Sequence, residues 1–208
     1  PIMASKSASH GGEPVLFELL ERRILLNANP VVALEVPDEA MLNEEFNYGV
    51  TFDNTGTPPN EVGYGPYIDV RLPAGVDAGS ASILGAPATP IQRVDNSFEP
   101  PAVPPATQSF THPLTGQTIH VAPGEEYLIF ELPFGSVVPA QPTIEVQLTA
   151  TLDKAEGAME GTPLTIEAAG GFYLGTSPTG NGPLIEGPTT DLVTPIVLEV
   201  GKEVLAPE

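Results

Sequence analysis

Cysteine is absent from the 208 residues, so disulfide bonds, thiol catalysis and cysteine-ligated metals are all excluded. The absence does not identify a compartment, because many large exported bacterial proteins avoid cysteine. Long apolar runs are also lacking, so no transmembrane segment is predicted. The apolar run near the start is interrupted by charged residues and does not match a secretory signal peptide; these residues are Glu18, Glu21, Arg22 and Arg23.

Basic residues are scarce: 7 Lys and Arg face 27 Asp and Glu, a formal net charge of −20. Residues 1–29 contain three basic and three acidic residues. The whole acidic excess therefore lies in residues 30–208, which carry 24 acidic and four basic residues. This shift predicts a boundary at Pro30. Because an acidic body repels phosphate, nucleic acid is not a predicted partner. The charge itself has two interpretations, a solubilising surface or a surface that binds cations.

Helix-forming sequence is limited by 25 Pro and 21 Gly, which leave little room for long helices. A hydrophobic content of 41% is nevertheless enough for a real core, in one large domain or two small ones. Short strands joined by turns tolerate this composition, so the predicted class is all-β.

Alternation with period two marks the strands. Residues 143–152 are the clearest case, with apolar side chains at every second position from Ile144 to Leu152. Residues 46–53 and 67–72 alternate in the same way, whereas 126–132 and 195–200 are apolar on both faces and suit central strands. A hairpin is predicted with arms at about 107–112 and 117–121, around the turn Pro113–Gly116.

Proline and glycine also mark predicted strand ends and irregular segments. Leu72-Pro73-Ala74-Gly75 and Leu132-Pro133-Phe134-Gly135 share a pattern in which proline stops a strand and glycine reverses the chain. Residues 86–113 hold seven prolines and little alternation, which predicts an irregular, partly extended excursion within the domain. The alternative is a linker that divides the body into two domains.

Residues with catalytic or metal-binding chemistry are few. If the hairpin forms, His112 lies near Gln117 and His120 near Ser109, and both are predicted to be surface side chains without a shared metal. Adjacent acids are interpreted as solvated strand entries, because neighbours in a strand point to opposite faces; the pairs are Asp38/Glu39, Glu44/Glu45 and Glu125/Glu126. Without nucleophile or phosphate-binding motifs, no catalytic residue and no enzyme activity are predicted.

Two ligand classes remain as alternatives. No cofactor is predicted, although calcium could bind loop acids such as Asp53, Glu61 and Asp77. Tyr64, Tyr67 and Tyr173 lie beside glycines in GYGPY and GGFY. Buried, these rings fill the core; exposed, they could stack on sugar rings.

The stretch FELLERRILLNANP, residues 17–30, is the one helix-favouring run. Leu16, Leu20 and Ile24 recur at the spacing of one helix face, which predicts a short amphipathic helix. Residues 20–26, LERRILL, resemble the LEPR-XLL motif found near the amino end of very large, repetitive bacterial surface and exported proteins. Six of seven core positions match, and Arg22 stands where that motif has proline. The motif residues that match are Leu20, Glu21, Arg23, Ile24, Leu25 and Leu26.

The resemblance implies an Ig-like β-sandwich of the kind that often follows this motif, with residues 50–77 similar to its opening strands. It also implies an extracellular or cell-surface location. The expected organisation is a tail with the motif helix over 1–29, an Ig-like sandwich with long loops over 30–200, and the start of a following repeat or linker over 201–208. Neighbouring repeats of the same chain, and an export or cell-envelope partner for the motif, are the implied partners.

The leading functional prediction is therefore a non-enzymatic structural or adhesin-type module, a stalk or spacer of a large exported or cell-surface bacterial protein. The alternative is a carbohydrate-binding β-sandwich that presents the tyrosines of GYGPY and GGFY.

Overall fold

The computed structural model describes residues 28–56, 61–97, 106–174 and 183–197, and within these ranges the regular elements are all strands. In chain order they are β1 (Pro30–Glu35), β2 (Glu39–Met41), β3 (Glu45–Asn54), β4 (Gly63–Leu72), β5 (Val76–Ile83), β6 (Ala86–Ala88), β7 (Gln92–Asp95), β8 (Gln108–Thr111), β9 (Thr118–Val121), β10 (Glu126–Glu131), β11 (Ser136–Val137), β12 (Ile144–Leu152), β13 (Leu164–Leu174) and β14 (Pro183–Ile196). The described residues include no helix long and apolar enough to cross a membrane.

Two sheets face each other. The first sheet has the order β1-β3-β12-β5-β6, and the second has the order β2-β14-β13-β4-β10-β7, with β11 also pairing β4. Neighbouring strands are antiparallel except β2 and β14, which run parallel. The predicted all-β, Ig-like sandwich is confirmed. The amphipathic helix that was expected to precede it lies outside the described residues.

The core lies between the inner faces of the two sheets, where the predicted alternation places it. Every second residue of β12 from Ile144 to Leu152 is buried, as are Phe46, Tyr48, Val50 and Phe52 on β3. They meet apolar side chains of the second sheet, including Ile68, Val70, Leu128, Phe130, Ile166 and Phe172. Strand β10 is buried on both faces as predicted, because its outer face is also covered.

The hairpin β8–β9 covers that outer face as a third layer. Ser109 pairs with His120 and Thr111 with Thr118, in the predicted register. Phe110 meets Tyr127 edge-on at 5.7 Å between ring centroids, and a small second core forms around Val121 and Ile129. The hairpin is thus held on the sheet mainly by apolar contacts with β10.

The chain crosses between the sheets at both long edges of the sandwich. At one edge β1 of the first sheet continues into β2 of the second, and at the other edge β6 continues into β7. The four outermost strands are short, between three and six residues, and β2 pairs only the last residues of β14. Short outer strands with a crossing chain offer little template for pairing with another molecule.

The strand register defines two poles. Val32 pairs with Phe52, which pairs with Ile144 at the start of β12; we call this end the entry pole. Leu42 bridges Leu152 at the end of β12, and its amide N donates to Ile196 O; we call this end the exit pole. The two poles are separated by the length of β12, about 27 Å at roughly 3.3 Å per residue.

The proline-rich segment differs from the expected irregular excursion. Its described parts form β6 and β7, one in each sheet, and β8 of the hairpin. The two halves of the chain also interleave, since β3 pairs β12 and β4 pairs both β10 and β13. The described parts of residues 86–113 therefore belong to one interleaved fold, while residues 98–105 lie outside the described residues.

Two further strand predictions are corrected. The last strand was expected over 195–200 but begins at Pro183 and ends at Ile196. The second Leu-Pro-x-Gly copy does not reverse the chain, because β10 and β11 on either side of it both pair antiparallel with β4. Only Gly75 of the first copy has the positive φ, 89°, that a tight turn favours.

Candidate functional site

The predicted motif residues lie outside the part of the chain that the structure describes. These are Leu20, Glu21, Arg23, Ile24, Leu25 and Leu26, and the expected repeat start at 201–208 is likewise outside. The structure instead brings together three groups of polar side chains. They are a buried cluster beneath the hairpin, an ion-pair region at the β7–β10 edge, and a carboxylate trio at the exit pole.

The buried cluster centres on His112, which is only 1% exposed and is not the surface residue that was predicted. It follows β8 at the hairpin turn, and the hairpin's packing on the second sheet inserts the imidazole against β4. His112 Nε2 lies 3.0 Å from Asp69 Oδ1, and its ring meets Tyr67 edge-on at 5.3 Å. Both histidines fall on the predicted hairpin arms, so alternation and turn chemistry did not distinguish the buried ring from the exposed one.

The hydrogen bonds define the donors and acceptors of the cluster. His112 Nδ1 accepts from the amide N atoms of Leu114 and Thr115, at 3.1 and 3.2 Å, so the ring proton is on Nε2 and points to Asp69. Tyr127 Oη also donates to Asp69, at 3.2 Å. Burial and the charge of Asp69 raise the pKa of Tyr127 well above its usual range. The tyrosine therefore stays a donor, and Asp69 is a buried carboxylate with two donors.

Arg71 borders a groove of about 170 Å³ beside this cluster, on the outer face of β4 and β13. Its guanidinium contacts Glu125 at 2.8 Å and Glu167 at 3.6 Å, and lies 5.2 Å above the Tyr127 ring. These contacts neutralise the positive charge and fix its position. The groove is small and shallow, and its acids and base are paired with each other.

Glu125 and Glu126 are not the solvated strand entry that was predicted. Glu125 pairs with Arg71, while Glu126 is 3% exposed, pairs with Arg93 and accepts from Ala78 N at 2.9 Å. Burial raises the pKa of Glu126. The two neighbours do point to opposite faces, as predicted, but the face of Glu126 is the interior.

The carboxylate trio consists of Asp77, Asp153 and Glu156, each with an oxygen within 4.8 Å of the others. Register brings them together at the exit pole, because Asp77 pairs with Thr151 at the end of β12 and Asp153 N donates to Gly75 O. Burial, and then the charge of Asp77, raises the pKa of Glu156 to about 7. Within the described residues these are the acidic side chains that lie close enough together to share a metal ion.

The acids named from the sequence for calcium are not together. Asp53 pairs with Val31 at the entry pole, and the Glu61 carbonyl accepts from the nearby Asn54 side chain at 2.8 Å. Asp77 lies at the opposite pole. The partners of Asp77 were missed because Asp153 and Glu156 follow β12 and lie 76 and 79 residues further along the chain.

The three tyrosines separate into two environments. Tyr67 is fully buried beneath the hairpin, which excludes sugar stacking on this ring. Tyr64 and Tyr173 are half-buried and directly opposite each other on β4 and β13. Phe172 of GGFY is also buried, against Phe52.

Ser109 Oγ and His120 Nδ1 lie 2.8 Å apart on the exposed hairpin surface. The contact confirms the predicted neighbourhood of His120. Among the described side chains, no carboxylate hydrogen-bonds the other ring nitrogen, so the third member of a Ser-His-Asp arrangement is not found there.

Comparison with known proteins gave structural similarities only. No family model matches the sequence, and no curated protein matches it. A similar solved structure is AvmM, which catalyses macrocyclisation in alchivemycin A biosynthesis, at TM-score 0.49 and 10% identity, with 85% of this chain and 93% of that chain covered. The major pilin subunit BcpA of Bacillus cereus is similar at TM-score 0.45 and 12% identity, over 81% of this chain and 41% of that chain.

A cohesin module from a Clostridium perfringens family 33 glycoside hydrolase is similar at TM-score 0.42 and 11% identity, over 83% of this chain and 99% of the module. Pilin and cohesin modules are thus among the structures that this chain resembles.

Proposed function

We propose that the chain is a non-enzymatic structural module, a stalk or spacer within a large exported or cell-surface bacterial protein. The observation that carries the proposal is the path of the chain through the sandwich. The described chain enters at the entry pole, beside Pro30, and leaves at the exit pole, beside Ile196. A module of this kind lengthens a chain by its full long axis when repeats are joined head to tail.

The parallel pair β2–β14 suits a load along this axis. Thr194 lies opposite Glu39 and Ile196 opposite Met41, so tension on the two chain ends pulls the paired strands in opposite directions along their length. Such a load acts on all hydrogen bonds of the pair together, whereas a load across the strands breaks them one after another. The Val36 amide N donates to Asp191 Oδ2 at 2.8 Å and adds a tie between the same two segments.

The charge and the polar clusters support a scaffold role. Arg71 and Arg93, two of the four bases in residues 30–208, are in ion pairs within the fold, so the rest of the surface is strongly acidic. Like-charged modules repel each other and stay soluble in a long array. The His112–Asp69 pair lies beneath the hairpin, where it ties two layers and is closed to a substrate. Neighbouring repeats, and an export or envelope partner for the motif, are the proposed partners.

Single-molecule pulling along two directions tests the load-bearing role. The chain has no cysteine, so a single introduced thiol is a unique attachment point. Pulling from the two chain ends loads the module from pole to pole. Pulling from the amino end and from Leu84→Cys loads it across the entry pole, because Leu84 N donates to Glu145 O beside the start of β12. We expect a clearly higher unfolding force for the first direction.

The control is the same Leu84→Cys protein pulled from its ends, which separates the effect of direction from that of the substitution. Leu84 is 59% exposed at the β5–β6 turn, so the change should leave stability nearly unaltered. Equal forces in the two directions, or a lower force from pole to pole, would reject the stalk proposal.

A carbohydrate-binding module is the second candidate, favoured by the cross-strand pair Tyr64 and Tyr173. Two half-buried tyrosines at paired positions of neighbouring strands resemble a platform on which a sugar ring can stack. Titration of soluble oligosaccharides against the wild type and the Tyr64→Ala/Tyr173→Ala double variant tests it. Saturable binding that the double variant loses would support this function, and its absence with every sugar probed would leave the stalk as the sole proposal.

A further inference from the structure

A cavity of about 350 Å³ opens between the two sheets at the edge where β6 crosses into β7. Its floor is apolar and comes from both sheets, with Leu128 and Phe130 on one side and Ala81 and Leu148 on the other. Two irregular features lie beside the opening. Gly79 and Ser80 form a β-bulge in the pairing of β5 with β12, and the crossing segment contains Pro87 and Pro90.

Tyr48 supplies the deeply buried polar group of this cavity, whose lining also includes Ser80, Thr89, Arg93 and Thr149. The residue is 2% exposed and lines the cavity, and its hydroxyl has no hydrogen-bond partner among the described residues. Nearby, Glu126 Oε1 likewise has no hydrogen-bond partner among the described residues, but it lies in an ion pair with Arg93, while Glu126 Oε2 accepts from Ala78 N. A buried hydroxyl without a partner costs free energy, so such groups in a folded protein call for a specific explanation.

Tyr48 acts as a hydrogen-bond donor. Burial, together with the charge of Glu126, raises the pKa of Tyr48 well above its usual range, so the hydroxyl keeps its proton. The complementary group is an acceptor such as a carbonyl or ether oxygen. A carboxylate would instead face Glu126 and the acidic body, while Arg93 is already paired with Glu126 and lies 3.9 Å from Asp95.

We propose that this cavity binds a small uncharged molecule with a compact apolar body and one acceptor oxygen, which receives a hydrogen bond from Tyr48. The apolar body would contact Leu128, Phe130 and Leu148, and the oxygen would accept from the Tyr48 hydroxyl. Sites of this type combine mostly apolar walls with a few polar groups that orient the ligand. The site is independent of the stalk role, because it lies at one edge and uses neither pole.

Cyclohexanone and methylenecyclohexane form a matched pair of probes, with nearly the same shape and a single difference in the acceptor oxygen. Each is titrated into the full chain while amide NMR signals of Ala78, Ala81, Ala88 and Leu148 are followed. We expect saturable shifts at these residues and about 5- to 10-fold tighter binding of the ketone, the preference that one hydrogen bond provides. In Tyr48→Phe the two probes should bind equally well.

Three controls make the outcome decisive. Tyr64→Phe removes a hydroxyl that does not line the cavity and should keep the ketone preference. Ala81→Leu fills the cavity and should remove binding of both probes, with NMR signal dispersion reporting that the variant is folded. Without probe, Tyr48→Phe should be at least as stable as the wild type to urea, because it removes an unpaired buried hydroxyl.

The proposal is overturned if neither probe shifts the cavity residues, if the ketone preference persists in Tyr48→Phe, or if Tyr48→Phe alone is clearly less stable. A loss of stability in Tyr48→Phe would mean that the Tyr48 hydroxyl already has a hydrogen-bond partner within the protein and is not free to bind a ligand. None of these outcomes affects the pulling experiment, so the two proposals fail separately.

Discussion

At the scale of single residues, long-range contacts decide the role of each polar side chain. His112 and His120 occupy similar positions on the two sides of one hairpin, yet one is buried against Asp69 and the other bonds Ser109 at the surface. Sequence reasoning placed both in the correct hairpin register. It could not predict the burial of His112, because that depends on which sheet face the hairpin covers.

Replacement of His112 by alanine should destabilise the fold by about 3 kcal/mol, since it removes a buried hydrogen bond to a carboxylate and leaves a cavity. The free energy of unfolding in urea measures the effect. His120→Ala is the matched control and should change stability by less than about 0.5 kcal/mol, because His120 is exposed. Equal stability of the two variants would contradict the tie between hairpin and sheet.

The raised pKa of Glu156 leads us to expect that the stability of the fold depends on pH. Its pKa in the folded protein is about 7, above the ordinary value of 4.5, because of burial and then the charge of Asp77; Asp153 and Asp95 add to this, and Arg93 faces Asp77. The folded state therefore binds more protons than the unfolded state between these values. The resulting stability is present below pH 4.5 and is lost as pH rises through 7.

Glu156→Gln cannot ionise, so its gain in melting temperature over the wild type should be larger at pH 8 than at pH 5. Thermal unfolding in the presence of a chelator measures both values and keeps divalent cations from the trio. Glu160→Gln, an exposed change outside the trio, is the control. The same gain at both pH values would show that Glu156 is not protonated in the folded protein near neutral pH.

At the scale of elements, alternation predicted the strands that have large apolar side chains, and it missed those built from small residues. β13 contains the run Ala168-Ala169-Gly170-Gly171, which has little hydrophobic contrast but lies where three strands approach closely. β14 was mostly missed because it contains Pro183, Pro188 and Pro195. Only its last residues pair with β2, so most of β14 is an edge, where a missing amide donor is tolerated.

Gly171→Ala tests this close approach. A Cβ atom at Gly171 would lie 2.2 Å from Leu184 O, so β13 and β14 would have to separate. We expect a loss of about 1–3 kcal/mol in the free energy of unfolding, the usual range for overpacking. Gly135→Ala is the control, since a Cβ there meets no atom within 4 Å and should be nearly neutral. A neutral Gly171→Ala would show that the two strands can move apart freely.

At the scale of the whole molecule, the charge boundary coincides with the start of the first described strand. The acidic excess begins at Pro30, which is also the first residue of β1. Two residues before it nevertheless belong to the fold. Ala28 is buried in the core, and Asn29 contacts Asn54 and Thr55 at the entry pole.

Two truncations test which residues before Pro30 stabilise the sandwich. Deletion of residues 1–27 should leave the sandwich folded with an almost unchanged melting temperature. Deletion of residues 1–29 should lower the melting temperature further, because it removes the burial of Ala28 and the Asn29 hydrogen bonds. Thermal unfolding of both proteins is the measurement, and global unfolding of the shorter deletion would place residues 1–27 within the core.

The sequence by itself determined the all-β class, the inner faces of β3 and β12, and the hairpin register. These features follow from period-two alternation and turn chemistry, which act between residues close in the chain. The tertiary structure alone decided that Asp77 meets Asp153 and Glu156 and that His112 is buried. It also decided that Tyr48 lines a cavity and that its buried hydroxyl has no hydrogen-bond partner among the described residues. Each of these depends on which distant strands become neighbours, and burial and pKa respond to such neighbours and not to local pattern.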